Sequence, residues 1–292
     1  MEWVNALVQG ILLGGLYALL ATGLSLVFGV MRVVNLAQGD LTILAAFMAL
    51  AIADASGANP LLSLLVVVPV LMLLGYVLQR GILNRAIAGG VLPPILVTFG
   101  IAVILQNALL EIFSADSQGL DAGPIEGQSL RLTDQLAVGW FPLATLLVAV
   151  LILVGLQVFI GRTQLGRAFR ATSDDADAAR LVGINDRHVY ALAMALALGT
   201  IAVAGVFLGI RTTFGPLDGP VRLIFAFEAV VIGGLGSLWG TLAGGVILGV
   251  AQALGNQVNP AYQLLAGHLV FLAILAFRPR GLFPSASIRQ QA

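Results

Sequence analysis

Apolar runs separated by short polar connections recur from one end of the chain to the other: Val4 to Val30, Leu41 to Ala53, Leu61 to Leu78, Leu92 to Phe113, Trp140 to Ile160, Val189 to Ile210, Leu223 to Leu238, Thr241 to Leu254 and Tyr262 to Phe277. A helix needs roughly 20 mostly apolar residues to cross a bilayer. The pattern therefore predicts an all-α, polytopic helical bundle of about eight to nine membrane segments, some discontinuous or re-entrant, forming a single transmembrane domain over residues 1–292.

Two places break the pattern. Residues 223 to 254 divide into pieces of about sixteen and fourteen apolar residues, marginal for spanning and suited to a re-entrant hairpin. Between them, Ile232-Gly233-Gly234-Leu235-Gly236-Ser237-Leu238-Trp239-Gly240 is too Gly-rich for an uninterrupted helix facing lipid, so the backbone is expected to break there and be buried in protein. Near the other end, Phe28 to Asp40 interrupts two apolar segments without a Pro-rich or strongly charged loop. Paired interruptions point to a substrate path, although no residue-by-residue internal identity marks a repeat.

Charge orients the bundle. Of the fourteen Arg, all but Arg131, Arg211 and Arg222 fall at Arg32, in 79–90, in 161–188 or in the tail from Arg278, and the positive-inside rule places these connections in the cytoplasm. The loop 114–139 carries Asp116, Asp121, Glu126 and Asp134 against one Arg, and 211–222 shares its face by parity, so both are expected on the periplasmic or extracellular side. The N-terminus then lies outside and the C-terminus inside. The first apolar stretch has no basic segment before it and runs far beyond a signal-peptide core, so it reads as a retained membrane segment.

Composition narrows the chemistry. Of 292 residues, 59% are hydrophobic and 10% charged, with a mean hydropathy of +1.02, against about 25% charged in an average soluble domain. No length remains for a sizeable soluble enzymatic domain. The chain has no Lys, and a Walker A loop needs its lysine to reach the nucleotide phosphates, so any ATP must be hydrolysed by another chain. With no Cys there is no thiolate site, and His188 and His268 have neither a second His nor an acid at ligand spacing, so both read as structural. Catalytic residues, metals, cofactors and nucleic-acid partners are not expected; membrane lipid is.

The most informative loop runs from Gly166 to Asn185. It reads as a short exposed helix with Thr172 or Ser173 as N-cap, Asp174 and Asp175 in the first turn, Arg180 near the end and Gly183 stopping it in the left-handed conformation. Asn185 or Asp186 then caps the next membrane helix. On spacing alone, this is equally a charged connector lying on the membrane surface.

Polar residues inside the apolar segments are the candidate path. Glu228 is expensive in an apolar segment and is a functional candidate that could receive a substrate ammonium; alternatively it pairs with Arg222 or Arg211. Thr98, Gln106 and Asn107 in the fourth segment, with Asn35 and Gln38 near the first break, either line the path or bond neighbouring helices. At the second break, Gly233, Gly234 and Gly236 are further candidates for the path through their exposed backbone groups. The series Gly233, Gly236, Gly240 and Gly244, like Gly10 with Gly14 and Gly205 with Gly209, predicts close helix packing.

Asp177-Ala178-Ala179 followed by Gly183 resembles the EAA signature with its downstream Gly, the segment with which ABC-importer permeases dock into their ATPase subunit. Four stretches, Gly23 to Asp40, this loop, the Gly233 to Gly245 run and Arg278-Pro279-Arg280-Gly281-Leu282-Phe283, appear in the order seen in the permease subunits of branched-chain amino-acid ABC importers, the LivH type, within a wider family that also serves sugars. The chain departs from that pattern at Gln38, where His is usual, at Glu228, where an acid is uncommon, and at Asp177, where Glu is usual. The resemblance implies a non-catalytic permease of the bacterial inner membrane that translocates branched-chain or related hydrophobic amino acids. It also implies two ATP-binding subunits docked at Gly166, Arg167, Arg170, Asp177, Ala178, Ala179 and Gly183, a periplasmic solute-binding protein, and a second permease completing a heterodimer. Urea or short amides, sugars and nucleosides remain alternative cargoes. A self-contained channel or secondary transporter, coupling ions through Glu228 or Asp40, is the rival from another class; an intramembrane enzyme lacks a catalytic constellation.

Overall fold

The structure, a computed structural model, describes residues 2–90, 92–133 and 136–283; Asp134 and Arg289, counted in the charge pattern, lie outside the described residues. In chain order the helices are α1 (Glu2–Met31), α2 (Gln38–Ser56), α3 (Leu64–Leu78), α4 (Asn84–Ile87), α5 (Leu92–Phe113), α6 (Trp140–Arg162), α7 (Gln164–Asp174), α8 (Ala176–Leu181), α9 (Asp186–Arg211), α10 (Gly219–Gly233), α11 (Leu238–Val258) and α12 (Gln263–Phe277). Eight helical stretches among the described residues are long and apolar enough to cross a membrane, α3 and α4 joining through a turn into one from Pro60 to Ile87. The polytopic all-α bundle expected from the apolar pattern is what forms. The connection between α5 and α6 adds an unexpected small antiparallel hairpin, β1 (Ser129–Thr133) with β2 (Leu136–Gly139).

α1 and α9 are wrapped by other helices, whereas α12 is nearly bare and α3, α5 and α6 each bury only a narrow stripe. A helix apolar on every side suits lipid as well as a bundle interior, so what sets α1 and α9 inside is their small residues, which let backbones meet. A Cβ on Gly10 would come 2.6 Å from Val250 Cα, one on Gly245 2.7 Å from Gly14 O, and one on Gly75 2.8 Å from Met194 O. Gly205 likewise meets Thr42 and Ala45 of α2, and Gly244 meets Ala229 of α10. Lipid tails are as apolar as Leu, so such close packing, rather than water exclusion, holds these helices together.

The bundle has two distinguishable ends. At the hairpin end, Gln9 Nε2 donates to Ala137 O at 2.7 Å, Asn59 Nδ2 to Ala122 O at 3.0 Å, and Gln118 pairs with Phe214. This brings the start of α1 together with the loops after α2, α5 and α9. At the α7 end, Arg32 Nη2 donates to Ser173 O at 3.2 Å and Asn84 Nδ2 to Arg187 O at 3.0 Å.

Both expected interruptions form, and at the α7 end they touch: a Cβ on Gly29 would lie 3.3 Å from Gly236 Cα. After α1, the chain climbs back into the bundle, because Gln38 Nε2 donates to Leu20 O at 2.9 Å. Leu20 stands eleven residues before Met31 in α1, or about 16 Å up the helix at 1.5 Å per residue. α2 thus begins at depth, and its start meets the start of α10, where Gly39 and Gly219 abut and Asp40 lies against Gly219.

One boundary needs correction. The second piece of 223–254, expected at about fourteen residues and suited to re-entry, is the 21-residue α11, long enough to span. The Gly-rich turn supplies its first residues, since Ser237 caps it by accepting from Gly240 N at 3.1 Å. α10, by contrast, stays short at 15 residues, and Gly234 ends it at φ 111°, a backbone state natural only to glycine.

Candidate functional site

Three polar constructions stand out from the apolar bundle. The first surrounds the α1–α2 break. Asn35 Oδ1 accepts from Ala37 N at 3.1 Å, folding the link upon itself, and Thr98 Oγ1 of α5 accepts from Leu36 N at 3.2 Å. Gln106, two turns further along α5, donates from Nε2 to Asp40 Oδ1 at 2.9 Å. Asn35, Gln38, Thr98 and Gln106 are therefore brought together along one seam between α1, α2 and α5. Within it, Gln38 Oε1 is buried and has no hydrogen-bond partner among the described residues. Asn107 is not part of this seam; it is exposed and donates only to Val103 O of its own helix, at 2.8 Å.

The second construction joins α1, α10, α11 and α12. Glu228 is buried, and its Oε1 lies 2.5 Å from His268 Nδ1, while Oε2 has no partner among the described residues. The ion pair weighed above, to Arg222 or Arg211, does not form, because Glu228 faces α12 and Arg222 lies 3.6 Å from Asp218 instead. The reading of His268 as a residue without an acidic neighbour is likewise corrected: its acid arrives from another segment. Beside the pair, Tyr17 OH donates to Gln252 Oε1 at 2.5 Å and the Tyr17 ring packs 5.3 Å from that of Phe225. His268, Tyr17 and Gln252 were not singled out together from the sequence. The available signal was the expense of a buried carboxylate, which demands a partner somewhere in the chain.

Gly233, Gly234 and Gly236 lie at the α7 end, apart from both polar groups. The end of α10 there presents carbonyls, and the segment after α12 satisfies two of them: Leu282 N donates to Ile232 O at 3.0 Å and Phe283 N to Gly233 O at 2.9 Å. Nearby, a cavity of about 420 Å³ opens between α1, α6, α7 and the α10–α11 turn.

The third construction is the loop of α7 and α8. The sequence predicts a single helix starting at Thr172 or Ser173; two helices form instead, and both residues lie inside α7. α7 starts earlier, where Thr163 Oγ1 accepts from Gly166 N at 3.0 Å, and it keeps Thr172 buried. The cap of α8 is Asp175, whose Oδ1 accepts from Asp177 N at 2.9 Å and Ala178 N at 3.0 Å. A short acidic side chain that bonds nearby amides competes with continuous helix, and this splits the stretch in two.

Gly183 ends α8 at φ 87°, as its position indicated, and Asn185 caps α9 by accepting from His188 N at 3.1 Å. Arg180 bridges Asp177 at 2.9 Å and Asp186 at 2.7 Å, tying α8 to the first residue of α9. The hydrogen bond to Asp186, and then its charge, hold the Arg180 guanidinium above its ordinary pKa. Ala179 turns inward; Arg167, Asp177 and Ala178 are exposed, and Arg170 donates to Ile160 O. Leu181 and Val182 are 90% and 76% exposed, an apolar tip on an otherwise polar loop that sequence reasoning passed over.

Eight helical stretches long and apolar enough to cross a membrane among the described residues, interrupted at two places and carrying buried polar groups where they cross, make this a multi-pass membrane protein. Over residues 6–276 the chain matches the family described as branched-chain amino acid transport system permease component, and it belongs to that family. It is 31% identical to the high-affinity branched-chain amino acid transport system permease protein BraD of Pseudomonas aeruginosa, across 96% of this chain and 95% of that protein. Against the corresponding LivH protein of Escherichia coli the identity is 28%, across 97% and 96%. The permease protein LivM of Escherichia coli is 31% identical over a shorter stretch, 46% of this chain and 33% of that protein.

Proposed function

We propose that this chain is one of two permease subunits of an ABC importer in a bacterial inner membrane, carrying branched-chain or related hydrophobic amino acids inward. ATP is hydrolysed on separate ATP-binding subunits, a periplasmic binding protein delivers the solute, and a related permease completes the path. The hairpin end faces the periplasm and the α7 end the cytoplasm. The names borne by BraD and LivH support the cargo, and the partial match to LivM supports a related second permease.

The observation that carries the reading is the α7–α8 loop beside both helix breaks. α8 is capped at its start, stopped at its end and tied to α9 through Arg180 and Asp186. It offers Leu181 and Val182 outward, and Ser173 Oγ of α7 donates to Gly29 O at 2.7 Å, next to Gly236. Force applied to α8 by an ATPase subunit is thereby passed to α1, α9 and the α10–α11 turn together. A branched aliphatic side chain needs an apolar cavity, and its amino and carboxylate groups need a few convergent polar partners. Glu228 Oε2 suits the ammonium, and Asn35, Gln38, Thr98 and Gln106 form the polar seam of the same path. Gly233, Gly234 and Gly236 act in it as the flexible turn.

The test is binding-protein-dependent uptake into vesicles holding the complete complex with ATP inside. Labelled leucine accumulates, unlabelled isoleucine and valine compete, and ribose, nucleosides and urea do not. Accumulation of one of those others in place of leucine overturns the cargo assignment.

A further inference from the structure

The cavity at the α7 end has a chemistry that the transport path does not use. Arg170 and Asp174 stand one helical turn apart on α7 and both line its mouth; Arg170 Nη1 donates to Ile160 O, which holds the guanidinium at the cavity with its other donors open, and no ion pair joins it to Asp174 among the described residues. Its wall carries the apolar Leu26, Phe169 and Leu238 beside the polar Gln157, Ser173 and Ser237. At its inner limit lies Ser25, which is 1% exposed and whose Oγ has no hydrogen-bond partner among the described residues. Ser25 precedes Met31 by six residues in α1, so the cavity reaches about 9 Å inward at the helical rise.

A cation and an anion side by side at the mouth, with large apolar side chains behind them, match a ligand of the same build. Such a ligand has a carboxylate for Arg170, an ammonium for Asp174 and an aliphatic side chain directed inward. A simple anion would meet Asp174 unfavourably, and a simple cation Arg170. At about 420 Å³ the cavity falls within the range typical of small-ligand sites. We infer that this cavity is a regulatory site on the cytoplasmic side that binds a free aliphatic amino acid and slows import when the internal concentration is high. Its four walls come from α1, α6, α7 and the α10–α11 turn, so an occupant wedges α7 against the two helix breaks that must move during transport.

The inference rests on the amino-acid cargo and inward direction proposed above. The other source of the same ammonium-and-anion chemistry is a phosphatidylethanolamine headgroup. The test uses the full complex in vesicles made either with or without phosphatidylethanolamine, with binding protein outside, ATP inside, and the lumen either free of leucine or loaded with millimolar leucine. Asp174→Asn and Asp174→Lys lie on the coupling loop, so each variant is read as the ratio of its uptake with a loaded lumen to its own uptake with an empty one, which removes any change in its basal rate.

Luminal leucine is expected to slow wild-type uptake roughly tenfold in both lipids, and both variants are expected to escape the inhibition. Inhibition that persists unchanged in Asp174→Lys places the effect elsewhere and overturns the site. So does uptake that ignores luminal leucine but shifts with phosphatidylethanolamine content, which makes the cavity a lipid site. Normal leucine uptake with no luminal effect in any lipid overturns the regulatory inference alone, whereas absence of leucine uptake in the assembled wild-type complex overturns the transport reading itself.

Discussion

Glu228 and His268 meet at 2.5 Å although forty residues separate them, joining the short helix α10 to the least buried helix of the bundle, α12. The carboxylate is buried and the imidazole half-exposed, so the pair fixes where α12 sits against α10.

Replacing His268 by Ala leaves that carboxylate without a partner, and a buried polar group stripped of its partner costs about 1–3 kcal/mol. Thermal unfolding in detergent is expected to show His268→Ala less stable than wild type, with the double variant Glu228→Gln, His268→Ala recovering part of the loss. Additive effects of the two substitutions would show that the contact contributes nothing.

The α1–α11 contact gives a contrast between two glycines. A Cβ on Gly10 meets the backbone of Val250 at 2.6 Å, whereas one on Gly100 of α5 meets nothing within 4 Å. Gly10→Val is expected to cost about 1–3 kcal/mol through forced separation of the helices. Gly100→Ala is expected to gain about 0.5–1 kcal/mol by restricting the backbone. Melting curves of the two purified variants check both signs.

The cap at Asp175 predicts a local effect. Loss of an acidic N-cap costs about 1 kcal/mol, so in Asp175→Ala the amides of Asp177 and Ala178 should exchange about fivefold faster at that energy. Amides in the middle of α9 should be unchanged, since they belong to the bundle core.

Much of this was legible in the chain. The apolar runs located the membrane helices, because lipid leaves a spanning segment little choice but helix; the interruption of the apolar pattern at Phe28 to Asp40 located the first break and the glycine cluster of Ile232 to Gly240 the second. Gly183 and Asn185 announced their roles, since positive φ and capping are local properties. What the sequence concealed was long-range or competitive. His268 finds its acid only through the folding of two distant segments, and α2 reaches the level of Leu20 only because the link of residues 32–37 turns back into the bundle. Asp175 won the capping role from Thr172 and Ser173 because Thr163 had already started the preceding helix.

On the transport function proposed above, α8 is where an ATPase subunit drives this permease. Ala179 is buried, so changing it risks the loop itself; Leu181 and Val182 project freely, and Leu181→Asp with Val182→Asp alters the contact face alone. The direct measurement is co-purification of the double variant with the ATP-binding subunits, alongside binding-protein-dependent leucine uptake. The double variant is expected to insert and melt like wild type but to lose both the ATPase subunits and uptake. Retention of both by the variant, or uptake by the wild-type chain with no ATPase present, would contradict it.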